Sequence, residues 1–217
     1  MFPFEDIHFQ LVDLPPVSAD FMESWLSATL QPADGALLVV DISDPECVDH
    51  IPAITTRLAE KKITLRRHWP GLDGHVEETN DEDPFRIELP TLLLANKSDL
   101  DPGSAEVEIL QDLLGIEYPA LTVSAKTGEG LDELGSFLFR ALEIVRVYTK
   151  SPGKPPDMGQ PFTVRRGGTV EDGARKVHRE IAQDLKFARI WGKNVYDGQQ
   201  TGPEHQVEDG DIVELHL

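Results

Sequence analysis

The 217-residue sequence predicts an α/β protein in which a parallel sheet with helices on both faces precedes a small second domain. Short apolar runs alternate with segments of helical periodicity through residues 1–149, as in repeated strand–helix units. The stretch K-S-P-G-K-P-P-D-M-G-Q-P then interrupts this pattern, because its prolines and glycines can sustain neither a helix nor a central strand. We therefore expect a first domain over 1–149, a linker over 150–160 and a second domain over 161–217.

The first domain is predicted to begin with an apolar strand at 7–12 and a helix at 19–31. The run G-A-L-L-V-V-D predicts a buried strand at 35–41, which is followed by a helix at 45–61. Residues 69–84 are acidic and rich in Gly, Pro, Asp and Asn, which predicts a surface excursion. The remaining predicted elements are a strand at 91–95, a helix at 104–114, a strand at 120–123 and a helix at 130–147.

The second domain is predicted to be a small sheet with one helical stretch. P-F-T-V at 161–164 is expected to open a hairpin with R-R-G-G as its turn, and Thr169 to cap the following helix. F-A-R-I-W at 187–191 and the alternating C-terminal tail are predicted strands. The apolar side of the predicted helix consists of Val170, Ala174, Val177, Ile181 and Leu185.

Composition narrows the class of protein. The net charge of −19 argues against general binding of nucleic acids, although residues 165–193 carry more basic than acidic side chains. The single cysteine, Cys47, excludes an internal disulfide framework and suits a reducing cytosol. No apolar run approaches the roughly 20 residues that a membrane helix needs.

Polar side chains follow three of the apolar runs. N-K-S-D at 96–99 follows T-L-L-L-A, S-A-K at 124–126 follows the next predicted strand, and Asp13 closes the first. In open parallel sheets the ligand crevice lies outside the carboxyl ends of the strands, so these residues are expected at one edge together with Asp41.

These motifs resemble the fourth, fifth and third motifs of P-loop GTPases, in that family's order and spacing. From residue 5 onward the sequence is similar to the Obg and developmentally-regulated GTP-binding branch. In that branch a GTPase domain precedes a TGS domain, a β-grasp fold named for threonyl-tRNA synthetase, GTPase and SpoT. The resemblance implies a GTPase-like domain over 1–149, a TGS domain over 161–217, GTP or GDP with Mg²⁺ as ligands, and a cytoplasmic role around translation.

The resemblance also implies how guanine would be read. Asp99 would accept hydrogen bonds from the N1–H and the exocyclic amine of guanine, which adenine cannot supply. Asn96 would reach the purine, the Lys97 stem would lie along its face, and the backbone N–H of Ala125 would meet O6. Ser124 and Lys126 complete the fifth motif, with Lys126 packing over the base. An Asx-type turn at a strand end is the alternative for the same residues.

Two departures from the family bear on catalysis. The third motif would hold Mg²⁺ through Asp13, but D-L-P-P places Pro16 where the family has a glycine whose N–H meets the γ-phosphate. Asp13 can alternatively be a simple strand stop. The phosphate-binding sequence G-x-x-x-x-G-K-[ST] does not occur in the chain. We therefore expect an N-terminally incomplete GTPase-like domain, from an internal start or a truncated copy, that hydrolyses GTP weakly or not at all.

The TGS resemblance implies a macromolecular partner such as a ribosome or RNA. The basic residues that would contact it are Arg165, Arg166, Arg175, Lys176 and Arg179. A solvated helix face explains the same residues equally well. Two rival functions remain open at this point. One is a non-catalytic TGS interaction module on a vestigial GTPase scaffold, and the other is a TGS-bearing regulator of nucleotide-derived messengers.

Overall fold

A computed structural model describes residues 1–18, 21–73, 85–100, 105–177 and 179–217, without the side chains at positions 105, 106, 177 and 179. The chain divides into two compact units, one formed by residues 11–138 and the other by residues 1–10 with 139–217. The elements are β1 (Phe2–Phe4), β2 (Ile7–Phe9), α1 (Leu26–Leu30), β3 (Ala36–Asp41), α2 (Cys47–Ala59), β4 (Ile63–Arg66), α3 (Pro70–Asp73), β5 (Ile87–Asn96), α4 (Ala105–Leu114), β6 (Ala120–Thr122), α5 (Leu131–Ala141), β7 (Ile144–Lys150), β8 (Pro156–Arg165), α6 (Val170–Val177), α7 (Arg179–Asp184), β9 (Phe187–Trp191), β10 (Gln199–Thr201) and β11 (Asp211–His216).

The unit of residues 11–138 is built on a parallel sheet centred on β5. Strands β3, β4 and β6 all pair with β5 in parallel, and the register sets Asp41 beside Asn96 at the carboxyl ends of their strands. Leu92 and Leu94 alternate along β5 with Leu93 and Ala95, and all four are buried, so both faces of this strand are covered. The predicted α/β class is confirmed.

Apolar clusters attach the helices to this sheet. Cys47 and Ile51 of α2 pack with Leu93 of β5 and with Leu110 of α4. A second cluster joins α1 to the sheet through Met22, Leu26, Leu30, Leu58, Ile63 and Leu89. The Cys47 thiol is buried in the first cluster, and this burial raises its pKa, as expected of a packed and unreactive cysteine.

Trp69 is a core residue that the sequence-based reading placed in a surface excursion. It is 1% exposed, donates its indole N–H to the carbonyl oxygen of Thr91 at 3.2 Å, and meets Phe137 edge-on at 5.3 Å between ring centroids. Gly35 is needed beside it, because a Cβ there would lie 2.6 Å from the indole ring. The rest of the predicted excursion, from residue 74 to 84, lies outside the described residues.

The predicted N-terminal elements are wrong in extent and pairing. Instead of a strand over 7–12 in the parallel sheet, β2 ends at Phe9 and pairs with β1 in an antiparallel hairpin. Within the described part of the helix predicted over 19–31, only α1 is helical. Trp25 just before it is 47% exposed, so the apolar spacing did not mark a continuous buried helix face.

The predicted elements between residues 130 and 164 also differ from the structure. The helix expected over 130–147 ends at Ala141, Glu143 takes a left-handed conformation with φ 53°, and β7 follows. The expected linker over 150–160 contains only a short turn, because β8 already begins at Pro156 and pairs with β7. The hairpin is therefore β7–β8, and R-R-G-G instead leads into α6, with Gly167 at φ 81°.

The second unit contains a mixed sheet in the order β10-β9-β11-β7-β8, with α6 and α7 packed on it. Thr169 caps α6 as predicted: its hydroxyl accepts the N–H of Asp172, and the Asp172 carboxylate accepts the N–H of Thr169 at 3.0 Å. Val170, Ala174 and Leu185 are buried against the sheet. The predicted strands at 187–191 and in the C-terminal tail are confirmed, and the arrangement is the expected β-grasp fold.

Candidate functional site

A cleft of about 240 Å³ opens at the carboxyl ends of β5 and β6, in the unit of residues 11–138. We call it the Asp99 cleft. Its lining residues are Asn96, Lys97, Asp99, Leu100, Ala125 and Lys126. Parallel pairing of β5 with β6 brings the turns after these two strands to the same edge of the sheet, where open α/β sheets bind ligands.

Asp99 is the best-connected side chain of the cleft. One carboxylate oxygen accepts the hydroxyl of Ser124 at 2.7 Å, and the other accepts the ammonium of Lys126 at 3.0 Å. The Ser124 hydrogen bond first, and then Lys126, lower the pKa of the Asp99 carboxyl. Asp99 therefore stays an acceptor-only carboxylate at neutral pH, and each of its oxygens retains a further lone pair.

Asn96 and Ala125 connect the same two turns through the backbone. The Asn96 side-chain oxygen accepts the backbone N–H of Ala125 at 3.0 Å. Nearby, the backbone N–H of Ser98 donates to the carbonyl of Val123 at 3.2 Å. Ser124, which is fully buried, also accepts the backbone N–H of Thr127 at 3.1 Å. These contacts hold the two turns in a fixed arrangement.

Lys97 forms another side of the cleft in an uncommon backbone conformation. Its φ is 71°, which few residues with a side chain adopt outside tight turns and functional sites. Its ammonium donates to Asp41 at 2.5 Å. Their hydrogen bond raises the pKa of Lys97 and lowers that of Asp41, so both groups are charged at neutral pH.

All six residues predicted for a nucleotide site therefore come together at one sheet edge, five of them lining the cleft and Ser124 lying behind Asp99. Sequence reasoning missed Leu100, which is 59% exposed, and gave no role to Asp41. The position of Asp41 at this edge was predicted, because it ends the buried run that pairs with β5, but its contact with Lys97 was not. Chemically, the cleft offers a paired acceptor at Asp99 and two lysine stems as apolar walls, whereas the N–H of Ala125 is already bound to Asn96.

Asp13 is not part of this arrangement. It is exposed and follows Phe9, the last residue of β2, by four positions, so the predicted strand end before it is wrong. Among the residues that the structure describes, no group of three or more His, Cys, Asp or Glu side chains could hold a metal ion. The proposed role of Asp13 as a magnesium ligand stays a prediction.

The predicted basic residues of the second unit are spread over several elements. Arg165 ends β8 and Arg166 follows it, where its guanidinium lies 3.7 Å from Glu143. Arg175 pairs within α6 to Glu171 at 2.5 Å, which neutralises part of that helix face. Lys176 is exposed, and the side chain of Arg179 lies outside the described part of the chain. No helix among the described residues is long and apolar enough to cross a membrane.

Comparison with known proteins places these features in a family context. Residues 145–217 match the TGS domain family. The match begins in β7 and so includes the β7–β8 hairpin. The chain is 34% identical over 131 residues to an uncharacterised GTP-binding protein of Methanocaldococcus jannaschii, covering 60% of this chain and 34% of that protein. It is 30% identical over 131 residues to developmentally-regulated GTP-binding protein 2 of Bos taurus, covering 60% of this chain and 35% of the relative.

A GTP-binding protein from Pyrococcus horikoshii is similar in structure, with a TM-score of 0.46 and 19% identity over 60% of this chain and 46% of that one. The chain spans about a third of the length of the two curated relatives named above. The chain thus carries a TGS domain and is similar to proteins that are named as GTP-binding proteins.

Proposed function

We propose that the Asp99 cleft binds the guanine base of GTP and GDP, and that the chain is a guanine-nucleotide-binding protein of the Obg and developmentally-regulated type. One observation carries the proposal: Asp99 is held by Ser124 and Lys126 from a turn 25 to 27 residues further along the chain. A surface Asx turn needs only local partners, whereas this carboxylate is fixed from a second strand. The two relatives named above are both described as GTP-binding proteins, which supports the same ligand.

The chemistry of the cleft favours guanine over adenine. Guanine presents two adjacent donors, N1–H and the exocyclic amine, to the acceptor pair of Asp99. Adenine has an acceptor at N1 and no amine at position 2, so it would leave the carboxylate of Asp99 unpaired with the base. Leaving a buried polar group without its partner is the main source of strong discrimination between similar ligands.

The described residues fit the phosphates and the magnesium ion of a nucleotide less well than they fit the base. The chain contains no G-x-x-x-x-G-K-[ST] loop to cradle phosphates, and the described residues include no group of three or more His, Cys, Asp or Glu side chains that could hold a metal ion. The described residues therefore do not assemble a magnesium site. Pro16 has no N–H to offer a γ-phosphate. We therefore propose that this chain hydrolyses GTP weakly or not at all.

The test uses the full chain and free nucleosides. Without phosphate contacts, we expect a Kd for guanosine of the order of 1 mM, about 4 kcal/mol of binding free energy. Asp99→Asn gives the side chain a donor in place of one acceptor, so guanosine should lose its acceptor pair while xanthosine, with a carbonyl at position 2, gains a donor. We expect guanosine affinity to fall by about 10²-fold or more, and xanthosine affinity to rise.

Asp13→Asn is the matched control, since it makes the same chemical change at an exposed aspartate outside the cleft. Binding can be followed by isothermal titration calorimetry or NMR. If the parent chain binds guanosine no better than adenosine, or if Asp99→Asn binds both nucleosides as the parent does, the proposal is wrong.

The TGS domain supports a second candidate function, in which the chain is a non-catalytic interaction module that acts around translation. We propose that the domain contacts the ribosome through basic residues, which the structure leaves exposed at Arg166 and Lys176. Arg165→Glu combined with Arg166→Glu should weaken cosedimentation with ribosomes and leave the other properties of the chain unchanged. Undiminished cosedimentation of this variant would remove the basic surface from the proposal.

A further inference from the structure

Asp41 uses both of its carboxylate oxygens at the edge of the Asp99 cleft. One oxygen accepts the backbone N–H of Ser43 at 3.0 Å and its hydroxyl at 2.6 Å, and the other accepts the ammonium of Lys97 at 2.5 Å. The parallel register of β3 with β5 aligns Asp41 with Asn96, so the aspartate lies directly beside the residue that precedes Lys97.

This ion pair has little effect on stability. The side chains of Lys97 and Asp41 are 47% and 35% exposed, and ion pairs exposed to this degree contribute little to folding because water and salt screen them. Its consequence is therefore orientation. A lysine has four rotatable side-chain bonds, and anchoring its end removes much of that freedom before any ligand arrives.

The orientation matters because Lys97 lines the cleft while its ammonium is held at Asp41. With the charge fixed at the β3 side, the part of the lysine that remains for a ligand is its methylene stem. The backbone conformation at Lys97, with φ 71°, sets the direction in which the same side chain leaves the main chain. Both ends of the stem are thus constrained, and the stem is preformed as an apolar wall.

We propose that Asp41 is a positioning residue for base binding: it holds the Lys97 stem as the wall on which a purine ring packs. This inference rests on the proposed function of the cleft. A wall contacts the face of the ring and not its edge. Asp41 therefore affects the affinity for all purines equally, whatever their exocyclic groups. Asp99 determines which purine binds best.

The central variant is Asp41→Asn, which keeps the size of the side chain and an oxygen for the N–H of Ser43 but loses the charge that holds Lys97. Guanosine and inosine affinities should both fall roughly three- to tenfold, because ordering the free lysine now opposes binding. The midpoint of thermal unfolding should not change. Ser43→Ala is the matched control: it removes the other side-chain partner of Asp41 and should leave both affinities at the parent values.

A double-mutant cycle with Lys97→Met shows whether Asp41 acts through the lysine. Methionine keeps an unbranched apolar stem without an ammonium, so Asp41→Asn should have no further effect in the Lys97→Met background. An undiminished loss in that background would overturn the inference, as would a loss confined to guanosine while inosine binds as before.

The two proposals fail in different ways. If the parent chain does not bind guanosine, the guanine site itself is wrong and the role of Asp41 falls with it. If the parent binds guanosine and Asp41→Asn binds it equally well, the guanine site stands and only the positioning role is overturned.

Discussion

The segment that carries Asp13 and the turn that carries Asp99 both place an aspartate after apolar residues, but their surroundings differ. Both aspartates follow an apolar run, L-V before Asp13 and L-L-L-A before the turn at 96–99. Before Asp13 the apolar residues are exposed, at 44% for Leu11 and 56% for Val12. The apolar run L-L-L-A before the turn of Asp99 is buried throughout. It belongs to β5, which pairs in parallel with β3, β4 and β6.

This difference shows what turns a sequence motif into a site. The Asp99 cleft exists because β5 and β6 deliver two turns to one edge, where Ser124 and Lys126 orient the carboxylate. Asp13 has no paired strand directly before it, and it belongs to no group of three or more potential metal ligands among the described residues. A carboxylate becomes a recognition group when strand pairing supplies its partners. Four predictions test the comparison between Asp13 and Asp99.

The largest expected effect concerns two tryptophans, the buried Trp69 beside β5 and the exposed Trp25 in the N-terminal part of the same unit. Trp69→Ala should lower the free energy of unfolding of residues 11–138 by about 3–5 kcal/mol, because it empties a core site and removes the hydrogen bond to Thr91. Trp25→Ala, at a position 47% exposed, should cost less than about 1 kcal/mol. Urea titrations of both variants measure the difference, and equal losses would show that the two regions are equally well packed.

Hydrogen exchange should separate the two regions next. The amides of β3 belong to a strand paired with the buried β5, whereas those of β2 pair only within a two-stranded hairpin. Exchange in β3 should be slower than in β2 by about 10²-fold or more. Mass spectrometry of peptic peptides, or NMR, can follow both. Equal protection would mean that the N-terminal segment has a stable sheet of its own.

The pH dependence of guanosine binding should reflect the lowered pKa of Asp99. Its hydrogen bonds stabilise the charged carboxylate, so the group stays ionised below its ordinary pKa of 3.8. Affinity should then be constant between about pH 5 and 8, and fall only as the pH drops through the lowered value. Titration calorimetry at a series of pH values tests this. A loss of affinity already between pH 6 and 5 would mean that Asp99 is not the acceptor.

The smallest effect is expected at Asp13. Asp13→Asn should change the free energy of unfolding by no more than about 0.5 kcal/mol, and leave guanosine affinity unchanged, because the side chain is exposed and lies outside the cleft. Thermal melts and titration of the same sample measure both quantities. A clear change in nucleoside affinity would place Asp13 in contact with the site and remove the contrast with Asp99.

Much of the fold and the cleft could be predicted from local patterns. The buried runs at β3 and β5, the helical periodicity of α2 and the cap at Thr169 each depend on neighbouring residues and were predicted correctly. The six residues predicted for the nucleotide site, five of which line the cleft, followed from motifs at strand ends. A pattern of this kind predicts an edge of the sheet because parallel strands end together.

The remaining features depend on distant partners. Residues 144–147 continue the apolar pattern of α5, but the pairing with β8 and β11 makes them a strand. The prolines at 155 and 156 suggested a linker, whereas Pro156 starts β8, where the edge of the sheet tolerates it. The run at 7–12 has strand-like composition, and only its pairing partner, β1, determines where it goes. The Asp41–Lys97 contact joins residues 56 positions apart and has no local signal.

The most direct measurement of the central claim is chemical-shift mapping on the full ¹⁵N-labelled chain during titration with guanosine and, separately, adenosine. With guanosine, the largest backbone shifts should fall on Asn96, Lys97, Asp99, Ala125 and Lys126, and the amide of Asp13 should not move. Adenosine at the same concentrations should shift these amides much less. Equal shifts with the two nucleosides, or shifts centred outside the two turns, would contradict the assignment of the cleft as a reader of guanine.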